Sequence, residues 1–143
     1  MTARYPLVIN GTTIEEIQSG DTYTLNSGST LTNPTVTNYT ETAYTANTST
    51  AITVSLSNGT VQILTLTGNC TLTMPAAGAG KSFIIILRQD ATGSRLATFT
   101  NAKYTDGTAP ILSTGASQVD VLTFFTVNGG SFWFGTFAMA NVS

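Results

Sequence analysis

The pattern of apolar positions is strongest near the end of the chain, where two apolar runs flank the Asn-Gly-Gly of residues 128–130. The runs cover residues 119–127 and 132–137. Asn and Gly tolerate the positive φ angles that tight hairpin turns require, so the pattern predicts a β-hairpin. Because apolar residues occupy successive positions, we expect both faces of this hairpin to be covered. It also holds the single Trp of the chain, Trp133, which we place in the core.

Shorter strands are predicted between residues 51 and 118. Ile52, Val54 and Leu56 alternate with polar residues at the period of two that a half-buried strand shows. The Asn-Gly pair at 58–59 gives a turn signal before the apolar residues of 61–66, so we expect residues 52–66 to form a second hairpin. The run SFIIIL at 82–87 predicts a central buried strand. Two further strands are predicted at residues 70–74 and 96–100. A short strand at most is predicted at residues 111–113.

The spacing of these segments predicts the fold class. About seven or eight short strands within about ninety residues are typical of an antiparallel β-sandwich or of a Greek-key or jelly-roll-like barrel. We therefore expect an all-β domain over residues 51–143. The sequence shows no coiled-coil heptads, no collagen-like repeat and no β-helix repeat that would build a shaft.

Residues 1–50 differ from the rest of the chain. An apolar piece at 5–9 is followed by an Asn-Gly turn signal, and residues 12–17 predict one helical turn. Residues 22–46 are almost wholly Thr, Asn, Ser, Tyr and Gly, with too little apolar surface to order alone. Because flexible linkers seldom carry Tyr, we expect residues 1–50 to form an extended arm that orders on a partner rather than a linker. The residues expected to bind that partner are Tyr5, Leu7, Ile9, Ile14, Ile17, Tyr23, Tyr39 and Tyr44.

Charged residues are rare. The chain has 5 Lys and Arg, 7 Asp and Glu and no His, for a net charge of −2, and roughly a fifth of it is Thr, which suits a pleated surface. Since no basic cluster is present to neutralise phosphates, the composition argues against nucleic-acid binding. The sequence has no apolar run of membrane-spanning length and no signal-peptide-like segment near its start. We therefore expect no membrane partner and no export.

The sequence offers little catalytic chemistry. Without His there is no Ser-His or Cys-His pair, and a single Cys does not complete the usual zinc ligand sets. We expect that residue, Cys70, to be a small buried side chain rather than a reactive thiol. The segment before Lys81 resembles the end of a phosphate-binding loop, but a strand follows it instead of a helix, so we interpret it as a turn. The protein is therefore predicted to be non-enzymatic, with no cofactor and no metal.

Isolated carboxylates are the remaining candidates for chemistry. Asp90, Asp106 and Asp120 each stand beside a predicted turn or strand entrance, where a carboxylate usually accepts local backbone N–H groups. A calcium site at Asp90 or Asp106 is the alternative interpretation. The many hydroxyl, amide and Tyr groups could also bind sugars.

Several segments resemble a domain found in virion proteins of tailed bacteriophages. They are residues 64–74 (LTLTGNCTLTM), 82–99 (SFIIILRQDATGSRLATF), 107–125 (GTAPILSTGASQVDVLTFF) and 129–137 (GGSFWFGTF). The opening segment at 5–25 also resembles the start of phage appendage proteins. The resemblance implies a virion structural role, commonly as a homotrimer, and it carries no catalytic residue.

Two virion roles fit this organisation. In a capsid decoration (cement) protein, the arm would lie across the major capsid protein on the head surface, and a trimeric β domain would clamp a symmetry axis. We prefer this role because no shaft-forming repeat is present. The alternative is a short tail fibre or tail-tip protein, in which the arm anchors to a tail or baseplate adaptor. Its loops at 91–95 and 103–109 would then face the host receptor, with Tyr104 and Asp106 as candidate contacts.

A third interpretation, from another functional class, is a free carbohydrate-binding module. In either virion role the protein is made in the host cytoplasm and assembled into the virion.

Overall fold

The computed structural model describes residues 7–10, 13–16, 22, 24 and 30–142. The chain divides into two units, Met1–Asn38 and Tyr39–Ser143. Two short 3₁₀ turns, Leu56–Asn58 and Thr105–Gly107, lie among the strands of the second unit. The described strands are β1 (Leu7–Asn10), β2 (Thr13–Glu16), β3 (Ala43–Thr48), β4 (Ala51–Thr53), β5 (Val61–Leu66), β6 (Cys70–Thr73), β7 (Lys81–Gln89), β8 (Ala97–Thr100), β9 (Ala102–Lys103), β10 (Val119–Thr126) and β11 (Trp133–Met139).

In the first unit, β1 and β2 form an antiparallel pair. The helical turn predicted for residues 12–17 is therefore wrong over Thr13–Glu16, where the backbone is extended. The register places Ile9 opposite Ile14. A single i,i+3 pair of apolar residues is too short a pattern to stabilise a helix, because forming the first helical turn is itself unfavourable.

The second unit winds back and forth between two sheets. β3, β5 and β7 run parallel in a six-stranded sheet, and β4, β6 and β8 run parallel in a three-stranded sheet. Because successive strands alternate between the sheets, residues 43–100 form three stacked coils, as in a short parallel β-solenoid. The sequence shows no repeat because the coils differ in length. Ala43 is 18 residues from its partner Val61, whereas Val61 is 23 residues from its partner Ile84.

Equivalent positions of the three coils stack into ladders that fill the space between the sheets. The ladders are Ala46–Leu64–Leu87 in the large sheet and Ile52–Leu72–Phe99 in the small sheet. Leu64 and Leu72 have no exposed surface, and a fully buried Leu contributes about 1.5–3 kcal/mol to stability. Cys70 is also buried, with its Sγ atom 2.8 Å from the Thr48 hydroxyl, which confirms its predicted place in the core.

The hairpin predicted for residues 52–66 is wrong. β4 pairs with β6, whereas β5 pairs with β3 and β7, so the two apolar segments lie in different sheets. The turn signal has another cause. Gly59 has a φ of 132°, which side chains rarely adopt, and a Cβ atom there would collide with the carbonyl of Thr42. This glycine therefore permits a close approach of two backbone segments at a corner of the coils.

The hairpin predicted at residues 119–137 is confirmed. β10 and β11 are antiparallel, and β10 also pairs with β7. Gly129 and Gly130 have φ angles of 75° and 83°, as the Asn-Gly-Gly signal predicts. The connecting loop, residues 127–132, is longer than a two-residue turn. The Thr126 hydroxyl holds it, donating to the Phe132 carbonyl at 2.8 Å and accepting the Gly130 N–H at 3.1 Å.

The two faces of the six-stranded sheet differ in exposure. Its inward side chains are buried, and they include Phe83, Ile85, Leu87, Leu122 and Phe124. Trp133 is completely buried among them, as predicted. On the outward face, Ile84 is 36% exposed and Phe125 is 48% exposed. The central position of β7 is thus confirmed, whereas the outward face of the final hairpin, which we expected to be covered, has no layer over it within the single chain.

The all-β, sandwich-like fold class is confirmed, although the strand pairing is mixed rather than wholly antiparallel. Residues 111–113 form no strand. β3 lies before residue 50, the predicted end of the arm, and belongs to the large sheet. No helix in the part of the chain that the structure describes is long and apolar enough to cross a membrane.

Candidate functional site

A shallow hollow lies at the edge of the six-stranded sheet, where β9 ends beside β11. β9 pairs with β11 over two residues, with Lys103 opposite Phe134. The chain then leaves the sheet into the 3₁₀ turn Thr105–Gly107, so this side of β11 stays open. The hollow has a volume of about 330 Å³. The side chains that line it include Lys103, Tyr104, Thr105, Phe125, Phe134 and Thr136.

Three phenylalanine rings form the apolar surface beside this hollow. Phe125 and Phe134 are cross-strand partners, and their ring centroids are 5.1 Å apart. Phe132 meets Phe134 edge to face at 5.0 Å, and the Lys103 ammonium lies 3.9 Å from the centroid of the Phe132 ring. A cation over an exposed ring contributes about 0.5–1 kcal/mol. The hollow therefore combines exposed ring surface with one positive charge.

Tyr104 lies on the inward side of the hollow. Its ring packs against Phe99 at 6.5 Å and Phe124 at 6.4 Å between centroids. Gly135 makes room for it, because a Cβ atom at that position would collide with the Tyr104 ring. The Tyr104 hydroxyl is buried and has no hydrogen-bond partner among the described residues. Burial raises the pKa of this hydroxyl, because the charged phenolate would lose its hydration.

A second hollow, of about 270 Å³, adjoins the first along the Tyr104–Thr105 segment. It shares Gly135 and Thr136 with the first hollow and adds Thr108, Pro110 and Phe137. The side chains of Thr105, Thr108 and Thr136 are exposed. Together the two hollows present hydroxyl groups next to ring surfaces.

The two residues predicted to contact a receptor are placed differently. Tyr104 lines both hollows, whereas Asp106 lines neither. Asp106 is exposed at the centre of the neighbouring turn, with a φ of 55° that Asp tolerates better than most residues. Sequence reasoning missed Phe125 and Phe134, because it assigned every aromatic residue of the hairpin to the core. The signal that could have identified them is their position next to Phe124 and Trp133 in the two strands, because successive residues of a strand point to opposite faces of the sheet.

The other predicted receptor loop, residues 91–95, is internally bonded. The Asp90 carboxylate accepts the N–H groups of Thr92 at 3.0 Å and Gly93 at 2.8 Å, and Arg95 donates to it at 2.9 Å. The Arg95 hydrogen bond is the main reason that the pKa of Asp90 lies below its ordinary value. The Gln89 side chain also bonds the Arg95 backbone N–H and carbonyl. This loop is therefore fixed by its own contacts and lies outside the two hollows.

The carboxylates of Asp90 and Asp120 accept hydrogen bonds that hold the fold together. Asp90 bonds local N–H groups as predicted, whereas Asp120 is buried and accepts N–H groups from the more distant Ser113 and Asn141. No group of three potential metal ligands occurs among the described residues. The alternative of a calcium site at Asp90 or Asp106 gains no support from this geometry.

The residues predicted to bind a partner fall into several places. Leu7, Ile9 and Ile14 belong to the β1–β2 pair. Tyr39 is 69% exposed and its hydroxyl donates to Glu41 at 3.1 Å, whereas Tyr44 lies in β3 and packs against the core. Tyr5, Ile17 and Tyr23 lie outside the described residues. The structure thus does not bring this set together in one described surface.

Comparison with known protein families gives a match over most of the chain. A family model described as "Putative phage tail fibre C-terminal domain" matches residues 22–131. The matched range contains β3 through β10 and both 3₁₀ turns. Searches among curated proteins and among solved structures gave no match.

Proposed function

Because the chain belongs to the family of phage tail fibre C-terminal domains, we propose that it is a tail-fibre or tail-tip protein that contacts the host receptor. Family membership confirms the resemblance to virion structural proteins of tailed phages. It favours the tail-fibre interpretation over capsid decoration, which the sequence had placed first. The same membership supports the proposal that the role is structural and non-catalytic.

The topology weakens the earlier reason for preferring capsid decoration. That reason was the lack of a repeat that could build a shaft. The coils formed by β3 to β8 stack in parallel without a fixed sequence period. Neighbouring strands lie about 4.8 Å apart, so three coils span only about 10 Å, which suits a short tail-tip domain rather than a long shaft.

The hollow beside β11 carries the receptor-binding part of the proposal. Phe125 and Phe134 expose ring surface, Thr105 and Thr136 supply hydroxyls, and Lys103 supplies a cation. Recognition sites typically combine apolar and aromatic surface with a few polar groups that fix orientation. A saccharide fits this chemistry, because its C–H faces stack on rings while its hydroxyls bond the polar rim. This interpretation also accommodates the sugar-binding activity proposed from the sequence.

The remaining partners are proposed from the sequence. In this proposal the N-terminal residues attach the protein to a tail or baseplate adaptor, and three copies of the chain assemble into a homotrimer. Segments that order on a partner gain contact area from few apolar residues, which suits the composition of residues 22–46.

Competition for phage adsorption tests the receptor role. Host cells are incubated with the purified full chain before phage is added, and adsorbed phage is counted. The chain is expected to reduce adsorption, and Phe125→Ser and Lys103→Gln are each expected to weaken that reduction. Leu96→Ser is the matched control, since Leu96 is 60% exposed and lines neither hollow.

The circular dichroism spectrum of each variant shows whether it is folded. If both folded hollow variants reduce adsorption as strongly as the wild-type chain does, the receptor contact lies elsewhere on the protein. No competition by the wild-type chain at saturating concentration would contradict the receptor role itself.

A further inference from the structure

The outward face of the large sheet is apolar across three neighbouring strands. Two rows of register partners cross it, Val61–Ile84–Thr123 and Ile63–Ile86–Val121. We name these six residues the outer face. Ile84 is 36% exposed and the other five are partly exposed, although the inward positions between them on β7 and β10 are buried. β7 is therefore apolar on both sides, which is the pattern of a strand with a second layer over it.

The outer face carries almost no charge. Among the outward positions of β5, β7, β10 and β11, Arg88 is the one charged residue, and it lies at the end of β7. A partner with a charged surface would lose hydration there without gaining ion pairs. An equally uncharged, equally flat surface is needed, and a second copy of the chain supplies one.

We propose that the outer face is the contact between copies of this chain, so that each copy covers the β5–β7–β10 surface of another. This inference gives a location to the self-association proposed above, and it does not depend on the receptor role. In the homotrimer proposed above, the three outer faces surround the three-fold axis, and each buries its side chains against the other two copies. The β-branched residues of the two rows present the short, stiff side chains that such packing favours.

The proposed contact leaves the β9–β11 side of the hollow accessible. β11 and then β9 follow β10 in the sheet, so Lys103 and Phe134 lie away from β5, whereas Phe125 shares the outward face of β10 with Thr123. Lys103→Gln is therefore the substitution that separates receptor binding from self-association, because Lys103 lies outside the outer face.

The mass of the full chain in solution gives the first test. Light scattering coupled to size exclusion is expected to report a multi-chain assembly for the wild-type chain. Ile84→Glu is expected to lower the mass towards the single-chain value of 14.9 kDa, because a carboxylate would be buried between copies. Ile111→Glu is the control: Ile111 is 91% exposed and lies beside Leu96 and Ala97 at the small sheet. It is expected to leave the mass unchanged.

If Ile84→Glu fails to fold, thiol labelling tests whether the outer face is buried between copies. Native Cys70 is buried, so Ile84→Cys and Ile111→Cys each add one accessible thiol to the chain. In the assembly, a maleimide is expected to react slowly with the thiol of Ile84→Cys. Dilution to the single-chain state should speed that reaction and leave the rate for Ile111→Cys unchanged; the comparison is made within each variant because Ile84 is 36% and Ile111 91% exposed in one chain.

Three results would overturn the proposal. They are a wild-type chain that is monomeric at micromolar concentration, a folded Ile84→Glu variant with unchanged mass, and labelling of Ile84→Cys in the assembly that dilution does not accelerate. A thiol protected in a monomer would instead show that another part of the same chain covers the outer face. Failure of the receptor experiment would leave all of these readings unaffected.

Discussion

The indole Nε1 of Trp133 donates a hydrogen bond to the carbonyl of Pro75, 3.0 Å away and 58 residues earlier in the chain. The bond joins the start of β11 to the segment that follows β6. The Trp133 ring also meets Phe83 of β7 edge to face, with the centroids 4.8 Å apart. One side chain thus connects the final hairpin to the second and third coils.

Loss of this ring should destabilise the domain strongly. Trp133→Ala is expected to lower the free energy of unfolding by about 3–5 kcal/mol, because it leaves a cavity and an unpaired Pro75 carbonyl. Trp133→Phe should cost less, since it keeps much of the buried area. Urea denaturation of the full chain measures both. A cost below about 1 kcal/mol for Trp133→Ala would show that the ring contributes little to the core.

The Thr126 hydroxyl should matter more than its size suggests. Thr126→Val keeps the shape of the side chain but removes the partner of the Gly130 N–H and the Phe132 carbonyl. We expect a loss of about 1–3 kcal/mol, the cost of leaving a buried polar group unpaired. Thr98→Val, at an exposed position of β8, serves as control and should change stability by less than about 0.5 kcal/mol. Equal effects of the two substitutions would contradict the structural role of the Thr126 hydroxyl.

Removal of the Tyr104 hydroxyl should not harm the fold. Because this buried hydroxyl has no hydrogen-bond partner in the described chain, Tyr104→Phe is expected to keep or raise stability by up to about 1 kcal/mol. Thermal unfolding of the two proteins provides the comparison. A clear loss of stability would show that the hydroxyl has a partner in solution, such as an ordered water.

The ion pair of Asp90 and Arg95 should make stability fall in acid. The pKa of Asp90 is held below its ordinary value of 3.8, first by the Arg95 hydrogen bond and then by the Gly93 and Thr92 N–H groups. The folded state therefore binds the proton more weakly than the unfolded state. The resulting stability is present above the unfolded pKa and is lost as pH falls through the lower folded pKa.

Carboxyl NMR measures this titration directly. Its midpoint for Asp90 should lie below 3.8, and Arg95→Gln should raise it, whereas Lys81→Gln should leave it unchanged. A midpoint that does not respond to Arg95→Gln would show that the ion pair does not form in solution.

Local pattern was enough to predict most strands of residues 51–143 but not their partners. The final hairpin follows from its own turn residues and apolar arms, so its pairing is local. Residues 52–66 carry a similar signal, yet their two strands pair with segments about 20 residues away in different sheets. Period-two alternation is the same for antiparallel and parallel neighbours. The irregular coil lengths then conceal the parallel stacking.

The candidate site was also predictable only in part, because it depends on which strands are neighbours in the sheet. Tyr104 was identified as a loop aromatic, and the structure places it in the hollow wall. Phe125 and Phe134 look like core residues in the sequence, because only the sheet topology shows which face of β10 and β11 has no layer over it. Their alternation with Phe124 and Trp133 separates the two faces of the hairpin, but it does not show which face lacks a layer within the chain.

Labelling of intact phage particles tests the central claim most directly. An antibody raised against residues 51–143 is bound to virions and located by electron microscopy, with a head protein antibody as the positional control. We predict label at the tail end alone, as a tail-fibre or tail-tip protein requires. A dense, regular pattern over the head would contradict this account and restore capsid decoration.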